Sequence, residues 1–186
     1  AERLARQKVH YMDAPVTGGT EGAKRGSLTV LVGGASETLE RVRPILEVIG
    51  GSIHHFGSVG RGQQVKAVNQ ILVAGSYAAV AEAVALGQRL ELPMPKVIGA
   101  LKNGAAGSWA LNHRSEAMIQ GIYPLGFKLS LHHKDLGIAL ETGSSVELDM
   151  PITALVKQLE NDLIQQGYGN EDVSALHLRN AVIEKA

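Results

Sequence analysis

A lysine followed at helical spacing by two amides is the first set of residues in this sequence that could do chemistry. Lys66, Asn69 and Gln70 come just after Gly60-Arg61-Gly62, whose glycines allow the backbone to turn sharply into a helix. Residues three and four positions apart share one helix face, so these polar side chains would line one side of an Ala- and Val-rich segment. The segment is not a phosphate-binding P-loop, because the lysine does not follow a glycine directly and no Ser or Thr comes after it.

Lys66 is the candidate for proton transfer. We predict that it lies in the first turn of the helix, close to the positive end of the helix dipole and partly removed from water. Both conditions favour the neutral amine, which a lysine in general acid–base chemistry must be able to reach. From spacing alone, the alternative is a surface lysine that extends its ammonium group into solvent.

A second segment, Asp13-Ala14-Pro15-Val16-Thr17-Gly18-Gly19, suits the binding of a small anion. A strand that ends in Thr-Gly-Gly offers one hydroxyl and consecutive unhindered backbone N–H groups, which favour a carboxylate. An ordinary glycine turn is the alternative for the same residues.

Neither histidine pair of the sequence has the spacing of a metal site. His54 and His55 alternate across a predicted strand, and His132 and His133 point about 100° apart on a predicted helix. Cysteine ligands and disulfides are excluded because the chain has no cysteine. We therefore predict structural roles for these four histidines and no metal site.

The composition excludes several classes of partner. Eighteen basic residues balance eighteen acidic ones, so no net charge would attract nucleic acid or an anionic membrane. A hydrophobic content of 45% with 19% charged residues is typical of a folded globular chain. The longest apolar run, residues 71–81, is too short to span a bilayer. We expect a cytoplasmic protein that binds neither nucleic acid nor membrane.

The first third of the chain alternates strands and short helices. Strands are predicted at residues 11–16, 28–32 and 52–56 from apolar runs bounded by glycines. A helix capped by Ser36 and divided at Pro44 joins the last two strands.

The remainder of the chain is predicted to be helical. Residues 63 to about 90 contain no proline and are rich in Ala and Val, which indicates one long helix, and further helices separated by glycines follow it. The sequence thus predicts an α/β domain over residues 1–62 and a second domain, over residues 63–186, that begins with the long connecting helix and is all-α.

Three strands are too few for a complete doubly wound sheet, and no Gly-x-Gly-x-x-Gly follows a strand near the N-terminus. We therefore expect that the chain begins partway through a Rossmann domain and that residues 1–62 are its C-terminal part. On this interpretation the chain lacks most of a cofactor-binding domain.

Four segments of the sequence, in family order and spacing, resemble the β-hydroxyacid dehydrogenases, a family that includes 3-hydroxyisobutyrate dehydrogenase, tartronate semialdehyde reductase and succinic semialdehyde reductase-like enzymes. They are DAPVTGGTEGAKRGSLTVLVGG, GRGQQVKAVNQ, NGAAGSWAL and PLGFKLSLHHKDLGIALE. The resemblance extends over nearly the whole chain, and four matched segments in register are far more specific than one glycine motif. The resemblance favours the functional interpretation of both segments over the structural one.

The resemblance implies roles for the matched residues. Lys66 would be the general acid when a carbonyl is reduced and the base in the reverse direction. Asn69 would orient the substrate, and Gln70 stands where some members carry a second Asn. The substrate carboxylate would be bound by a Thr-Gly-Gly that replaces the usual Ser-Gly-Gly, namely Thr17, Gly18 and Gly19.

The resemblance also implies the cofactor, the fold and the assembly. NAD or NADP would be the cofactor, with Lys134 reaching it from the helical domain and Phe127 forming a wall beside the nicotinamide. The fold would be a partial Rossmann domain followed by a helical domain like the C-terminal domain of 6-phosphogluconate dehydrogenase. That helical domain would associate with its counterpart in a homodimer or homotetramer.

The function implied is the NAD(P)-dependent interconversion of a short, carboxylate-bearing β-hydroxy acid and its semialdehyde, with the chain as given inactive by itself. One alternative is another reductase of the superfamily, such as 6-phosphogluconate dehydrogenase, which needs a basic phosphate pocket, or an imine reductase, which often lacks the lysine. Another is a dehydrogenase-like domain that serves assembly without catalysis. The presence of Lys66 disfavours the imine reductase and the inactive domain, and the DAPVTGG segment adds evidence against both reductases.

Overall fold

The computed structural model describes residues 1–180. The chain divides into two compact units, Ala1–Asn69 and Gln70–Ala186. The first unit contains a small sheet with helices, and the second unit is helical. A partial Rossmann domain followed by an all-α domain, with a long helix between them, is therefore confirmed as the fold class.

The first unit is built around the central strand of a three-stranded sheet. The predicted strand at residues 28–32 is confirmed, and four of its five residues are buried. Val30 pairs with Val16 in an antiparallel arrangement and with Ile53 in a parallel one. The elements in chain order are α1 (Glu2–Ala5), β1 (Val16–Thr17), α2 (Gly19–Lys24), β2 (Leu28–Val32), α3 (Ser36–Ile49) and β3 (Gly50–His55).

The first strand is shorter than predicted. Only Val16–Thr17 form β1, and Asp13 contributes a single bridge to Gly33 in place of a continuous strand over residues 11–16. Pro15 between them has no N–H group to donate to a ladder, and its carbonyl instead accepts from the Leu31 N–H at 2.8 Å.

Helix α3 differs from its prediction in two ways. It runs without interruption through Pro44, and its N-cap is Ala35, with no side-chain capping bond from Ser36. A proline within a helix removes one main-chain hydrogen bond. The helix nevertheless keeps its packing on both sides of the proline, because Leu39 belongs to the core cluster with Val30 and Leu46 packs against it.

The long helix α4 (Arg61–Arg89) confirms the prediction, although it begins two residues earlier than expected. The elements that follow it are α5 (Met94–Leu101), α6 (Trp109–His113), α7 (Ser115–Ile119), α8 (Leu129–Ser144), α9 (Pro151–Gln165) and two 3-10 segments, Tyr168–Asn170 and Val173–Arg179.

The core of the second unit is formed along one side of α4. Ala74, Tyr77, Ala81 and Val84 are buried at spacings of three and four residues, which is the pattern of a helix face packed against a core. By length and composition alone α4 could also cross a membrane, but 44% of its most apolar stretch is buried inside the protein. We interpret it as a core helix. Its buried partners include Met118, Leu129, Leu136, Val156, Leu163 and Val173.

Candidate functional site

A buried carboxylate holds the start of α4 in the first unit. Asp13 is 5% exposed, and its two carboxylate oxygens accept hydrogen bonds from the main-chain N–H groups of Gly60, at 2.5 Å, and Gln63, at 2.8 Å. The first N–H groups of a helix have no partner within the helix, and a negative charge is favourable there. Asp13 therefore caps α4 from a position 47 to 50 residues earlier in the chain.

The close approach of this carboxylate explains one glycine of the helix start. A Cβ atom on Gly62 would lie 2.7 Å from the Asp13 Oδ2 atom and 2.2 Å from the carbonyl oxygen of Leu31. Only a residue without a side chain fits between the strand and the carboxylate. The glycine is thus required by the geometry that orients the helix.

Lys66 is the sixth residue of α4 and lies in its second turn, not in the first turn as predicted. The difference arises because the helix begins at Arg61. This residue directly follows Gly60, whose N–H group donates a hydrogen bond to Asp13. The Lys66 Nζ atom donates to the main-chain carbonyl of Val16 at 3.0 Å, in a partly buried position. The amine is therefore held at the end of β1, beside the segment predicted to bind an anion.

A second contact joins the same two segments. The Thr17 hydroxyl donates to the Asn69 side-chain oxygen at 3.3 Å. Gly18 and Gly19 follow directly, both exposed and both with positive φ angles, of 127° and 63°, which glycine adopts readily. The structure thus brings together Lys66, Asn69 and the Thr-Gly-Gly turn. Their substrate roles remain predictions.

This arrangement combines a proton donor with groups that suit an anion. The Lys66 ammonium group, which donates to the Val16 carbonyl, is able to transfer a proton. Exposed glycines leave the backbone accessible to a ligand at the turn after β1. A small molecule could contact the glycine turn through a carboxylate and the Lys66 amine through a nearby oxygen.

Gln70 is placed differently from the other predicted substrate residues. It is 2% exposed and belongs to the second unit, where its side-chain nitrogen donates to Asp135 Oδ2 at 2.7 Å. The other carboxylate oxygen of Asp135 lies 2.8 Å from Lys134 Nζ. Asp135 thus links two of the predicted site residues. No role was predicted for Asp135 from the sequence.

The two predicted cofactor residues both lie in the second unit. The Lys134 side chain is 62% exposed, and its ammonium group forms an ion pair with Asp135. Phe127 is partly buried against the core, and the edge of its ring meets His132 with ring centres 5.6 Å apart. Contact of these two residues with a nucleotide cofactor stays a prediction. A Gly-x-Gly-x-x-Gly turn for its pyrophosphate is not among the 186 residues.

Asp13 is a residue of the first unit whose role was not predicted from the sequence, although it lies in the segment that ends in Thr-Gly-Gly. A signal was available, because an acidic residue within an apolar strand must find donors if it is buried. The N–H groups of a glycine-led helix start are such donors, but sequence spacing does not indicate that they lie close to Asp13.

Two family models match the chain. Residues 60–178 match the model described as NAD-binding of NADP-dependent 3-hydroxyisobutyrate dehydrogenase. Residues 1–57 match the NAD binding domain of 6-phosphogluconate dehydrogenase. The two matches together leave only short stretches of the chain uncovered.

Relatives with assigned activities are similar over most of this chain. It is 39% identical over 180 residues to 2-(hydroxymethyl)glutarate dehydrogenase of Eubacterium barkeri, covering 95% of this chain and 59% of the relative. It is 40% identical over 166 residues to 2-hydroxy-3-oxopropionate reductase of Escherichia coli, covering 89% and 57%. The chain thus spans less than two thirds of the length of these relatives.

Solved structures are similar as well. A 3-hydroxyisobutyrate dehydrogenase of Salmonella typhimurium matches with a TM-score of 0.86 and 28% identity, over 96% of this chain and 63% of that one. The 3-hydroxyisobutyrate dehydrogenase of Mycobacterium tuberculosis, solved with L-serine, matches with a TM-score of 0.85 and 28% identity, over 96% and 64%.

The Asp13 cap can be tested by removing its charge. In Asp13→Asn, one of the two N–H groups loses its acceptor, and we expect the free energy of unfolding to fall by about 2 kcal/mol. Chemical denaturation followed by circular dichroism measures the change. Glu47→Gln makes the same change of acid to amide at an exposed position of the first unit and should cost less than about 0.5 kcal/mol. Equal effects of the two substitutions would contradict the capping role.

Proposed function

This chain belongs to the β-hydroxyacid dehydrogenase family, and we propose that in a full-length enzyme it interconverts a short β-hydroxy acid and its semialdehyde with Lys66 as general acid and base. The proposal rests on one observation, which is that Lys66 and Asn69 both form hydrogen bonds at the end of β1, next to the Thr-Gly-Gly turn. NAD or NADP is the proposed cofactor, in keeping with both family models. When bound, it supplies hydride transfer to or from the substrate carbon.

Lys66 handles the proton in this proposal. During reduction, its ammonium group donates a proton to the carbonyl oxygen as the carbonyl carbon gains hydride, which leaves a hydroxyl group and a neutral amine. During oxidation, the amine accepts the hydroxyl proton. The hydrogen bond from Nζ to the Val16 carbonyl, at 3.0 Å, supports this role because it restricts where the amine can point.

The substrate carboxylate binds at Thr17, Gly18 and Gly19, with Asn69 orienting the substrate beside the amine. The compounds named in two relatives, 2-(hydroxymethyl)glutarate and 2-hydroxy-3-oxopropionate, both carry a carboxylate close to the carbon that would react. Lys134 and Phe127 would contact the cofactor, and the chain by itself would lack most of the cofactor-binding domain. We therefore propose that the 186-residue chain alone is inactive.

Self-association of the helical unit is part of the same proposal. Large apolar side chains remain exposed on α9 and near it, with Ile152 69% and Leu155 60% exposed. Contiguous exposed apolar surface is typical of a protein–protein interface. Two copies of the chain packed through this surface would bury these side chains, which supports the homodimer or homotetramer implied by the sequence resemblance.

The role of Lys66 predicts a specific loss of turnover. In the full-length enzyme, Lys66→Ala should lower kcat on a semialdehyde by about a hundredfold or more, because the proton donor is lost. Nucleotide binding, measured by calorimetry, should change by only a few-fold. Lys96→Ala, at an exposed position of α5, is the matched control and should leave kcat unaltered. Near-normal turnover in Lys66→Ala would remove the residue from the mechanism.

The Thr-Gly-Gly turn predicts that substrates need a carboxylate. The neutral amide of a good substrate should show a kcat/KM at least about a hundredfold lower, since the N–H groups built for an anion would lose their partner. Steady-state kinetics on the acid and its amide at one pH measure the ratio. Comparable efficiency on both compounds would refute a carboxylate site.

The exposed apolar surface of α9 predicts the assembly state. Adding charge there with Ile152→Lys/Leu155→Lys should dissociate the assembly into monomers, as seen by analytical ultracentrifugation of the full-length protein. Gln158→Lys adds a charge at an exposed polar position of the same helix and should leave the mass unchanged. A monomeric wild type, or a double variant that still assembles, would contradict the proposal.

A further inference from the structure

A buried carboxyl–imidazole pair lies in the second unit, and nothing proposed above uses it. Glu160 on α9 and His132 on α8 have fully buried side chains, and Glu160 Oε1 lies 2.5 Å from His132 Nδ1. The other ring nitrogen of His132, Nε2, lies 3.3 Å from the main-chain carbonyl oxygen of Gln70. The imidazole therefore stands between a side chain of α9 and the main chain of α4.

The partners of the imidazole determine where its protons lie. A carbonyl oxygen can only accept a hydrogen bond, so Nε2 must carry a proton that it donates to Gln70. Two arrangements then remain at Nδ1. Either a protonated imidazole donates to an ionised Glu160, or a neutral Glu160 donates its hydroxyl proton to an unprotonated Nδ1.

The surroundings of Glu160 favour the neutral arrangement. Burial raises the pKa of the Glu160 carboxyl above its usual value, and the hydrogen bond and charge of His132 and the charge of Lys157 offset this only in part, while Asp135 raises it further. Its second oxygen, Oε2, is buried and has no hydrogen-bond partner within residues 1–180. An unpaired oxygen is far less costly to bury in a neutral carboxyl than in a carboxylate.

Two hydrogen bonds therefore join Gln70 to residues of α8. Its side chain donates to Asp135 at 2.7 Å, and its main-chain carbonyl accepts from His132. Glu160 fixes the orientation of the His132 ring from α9. A helix turn bonded through both its main chain and its side chain has little freedom to rotate about the helix axis.

We propose that Glu160 and His132 form a neutral pair that shares one proton. The two are positioning residues, which hold this turn of α4 in place through the Gln70 main chain. The positioning role rests on the proposed function, because Gln70 comes four residues after Lys66 on the same helix. Neither residue of the pair touches the reacting atoms. Their effect is on geometry, where a displacement of about 1 Å can alter turnover by orders of magnitude.

The test separates positioning from mere stability by comparing three variants of the full-length protein. His132→Leu leaves Glu160 buried without its partner, and we expect the thermal midpoint to fall by about 10 °C and kcat/KM by about tenfold. His132→Leu/Glu160→Met replaces the pair with apolar side chains of similar size, so the midpoint should recover while kcat/KM stays about tenfold low. Glu160→Gln can still donate to Nδ1 and should retain most of the wild-type kcat/KM.

Two nuclear magnetic resonance measurements test the pair without any activity assay. The ring nitrogens of His132 should show a neutral imidazole protonated at Nε2, the tautomer that a bond to the Gln70 carbonyl requires. The side-chain amide protons of Gln70 should exchange with solvent faster in the double variant than in the wild type. A full-length protein that lacked dehydrogenase turnover would refute the proposed function, and these two measurements would still decide whether the pair holds Gln70.

Three results would overturn the inference. One is a doubly protonated His132 ring in the folded protein. Another is a double variant that recovers kcat/KM together with its thermal midpoint, since the pair would then serve stability alone. The third is unchanged exchange of the Gln70 amide protons in the double variant.

Discussion

The bond between the Asp13 carboxylate and the start of α4 sets the geometry on which the candidate site of the first unit depends. A carboxylate that is 5% exposed is tolerated only if donors surround it, and the N–H groups of Gly60 and Gln63 are those donors. The same residue exchanges two main-chain hydrogen bonds with Gly33 at the end of β2. One side chain therefore fixes the direction in which α4 leaves the sheet. That direction places Lys66 beside the carbonyl of Val16.

The polar residues of α4 divide their partners between the two units of the chain. Lys66 and Asn69 bond to the end of β1 through a main-chain carbonyl and a hydroxyl. Gln70, one residue later, bonds to Asp135 and His132 of the second unit. From Ala74 onward the buried face of the helix is apolar. The helix thus begins with the polar groups of the candidate site and continues as the centre of the second unit's core.

Local patterns in the sequence predicted the elements better than the contacts between them. The strand at residues 28–32 and the long helix predicted from residue 63 are confirmed, apart from the helix start at Arg61, because apolar runs and the absence of proline are properties of neighbouring residues. The prediction that α3 breaks at Pro44 was wrong, because packing on both sides of the proline keeps the helix continuous. Propensity rules treat a proline without regard to what its neighbours bury.

The candidate site shows still more clearly that sequence patterns do not predict contacts between distant residues. Motif resemblance selected Lys66, Asn69 and Thr17, and the structure brings these three together. It did not find the cap at Asp13 or the pair of His132 with Glu160, whose members lie 28 residues apart. Pairs of this kind are created by tertiary packing, and one sequence contains no periodicity that relates their members. A buried polar residue can be suspected from sequence, but its partner cannot be named.

The long separation between Asp13 and its partners also has a consequence for folding during synthesis. The segment that carries Asp13 leaves the ribosome almost fifty residues before Gly60 and Gln63, so its carboxylate stays in water until α4 begins to form. The parallel pairing of β2 with β3 likewise waits for all of α3. Helices α8 and α9, by contrast, are neighbours in sequence and can pack as soon as both are made. The first unit to be translated is therefore expected to be the slower to acquire its native contacts, and its sheet is the part most exposed to incorrect pairing in the meantime.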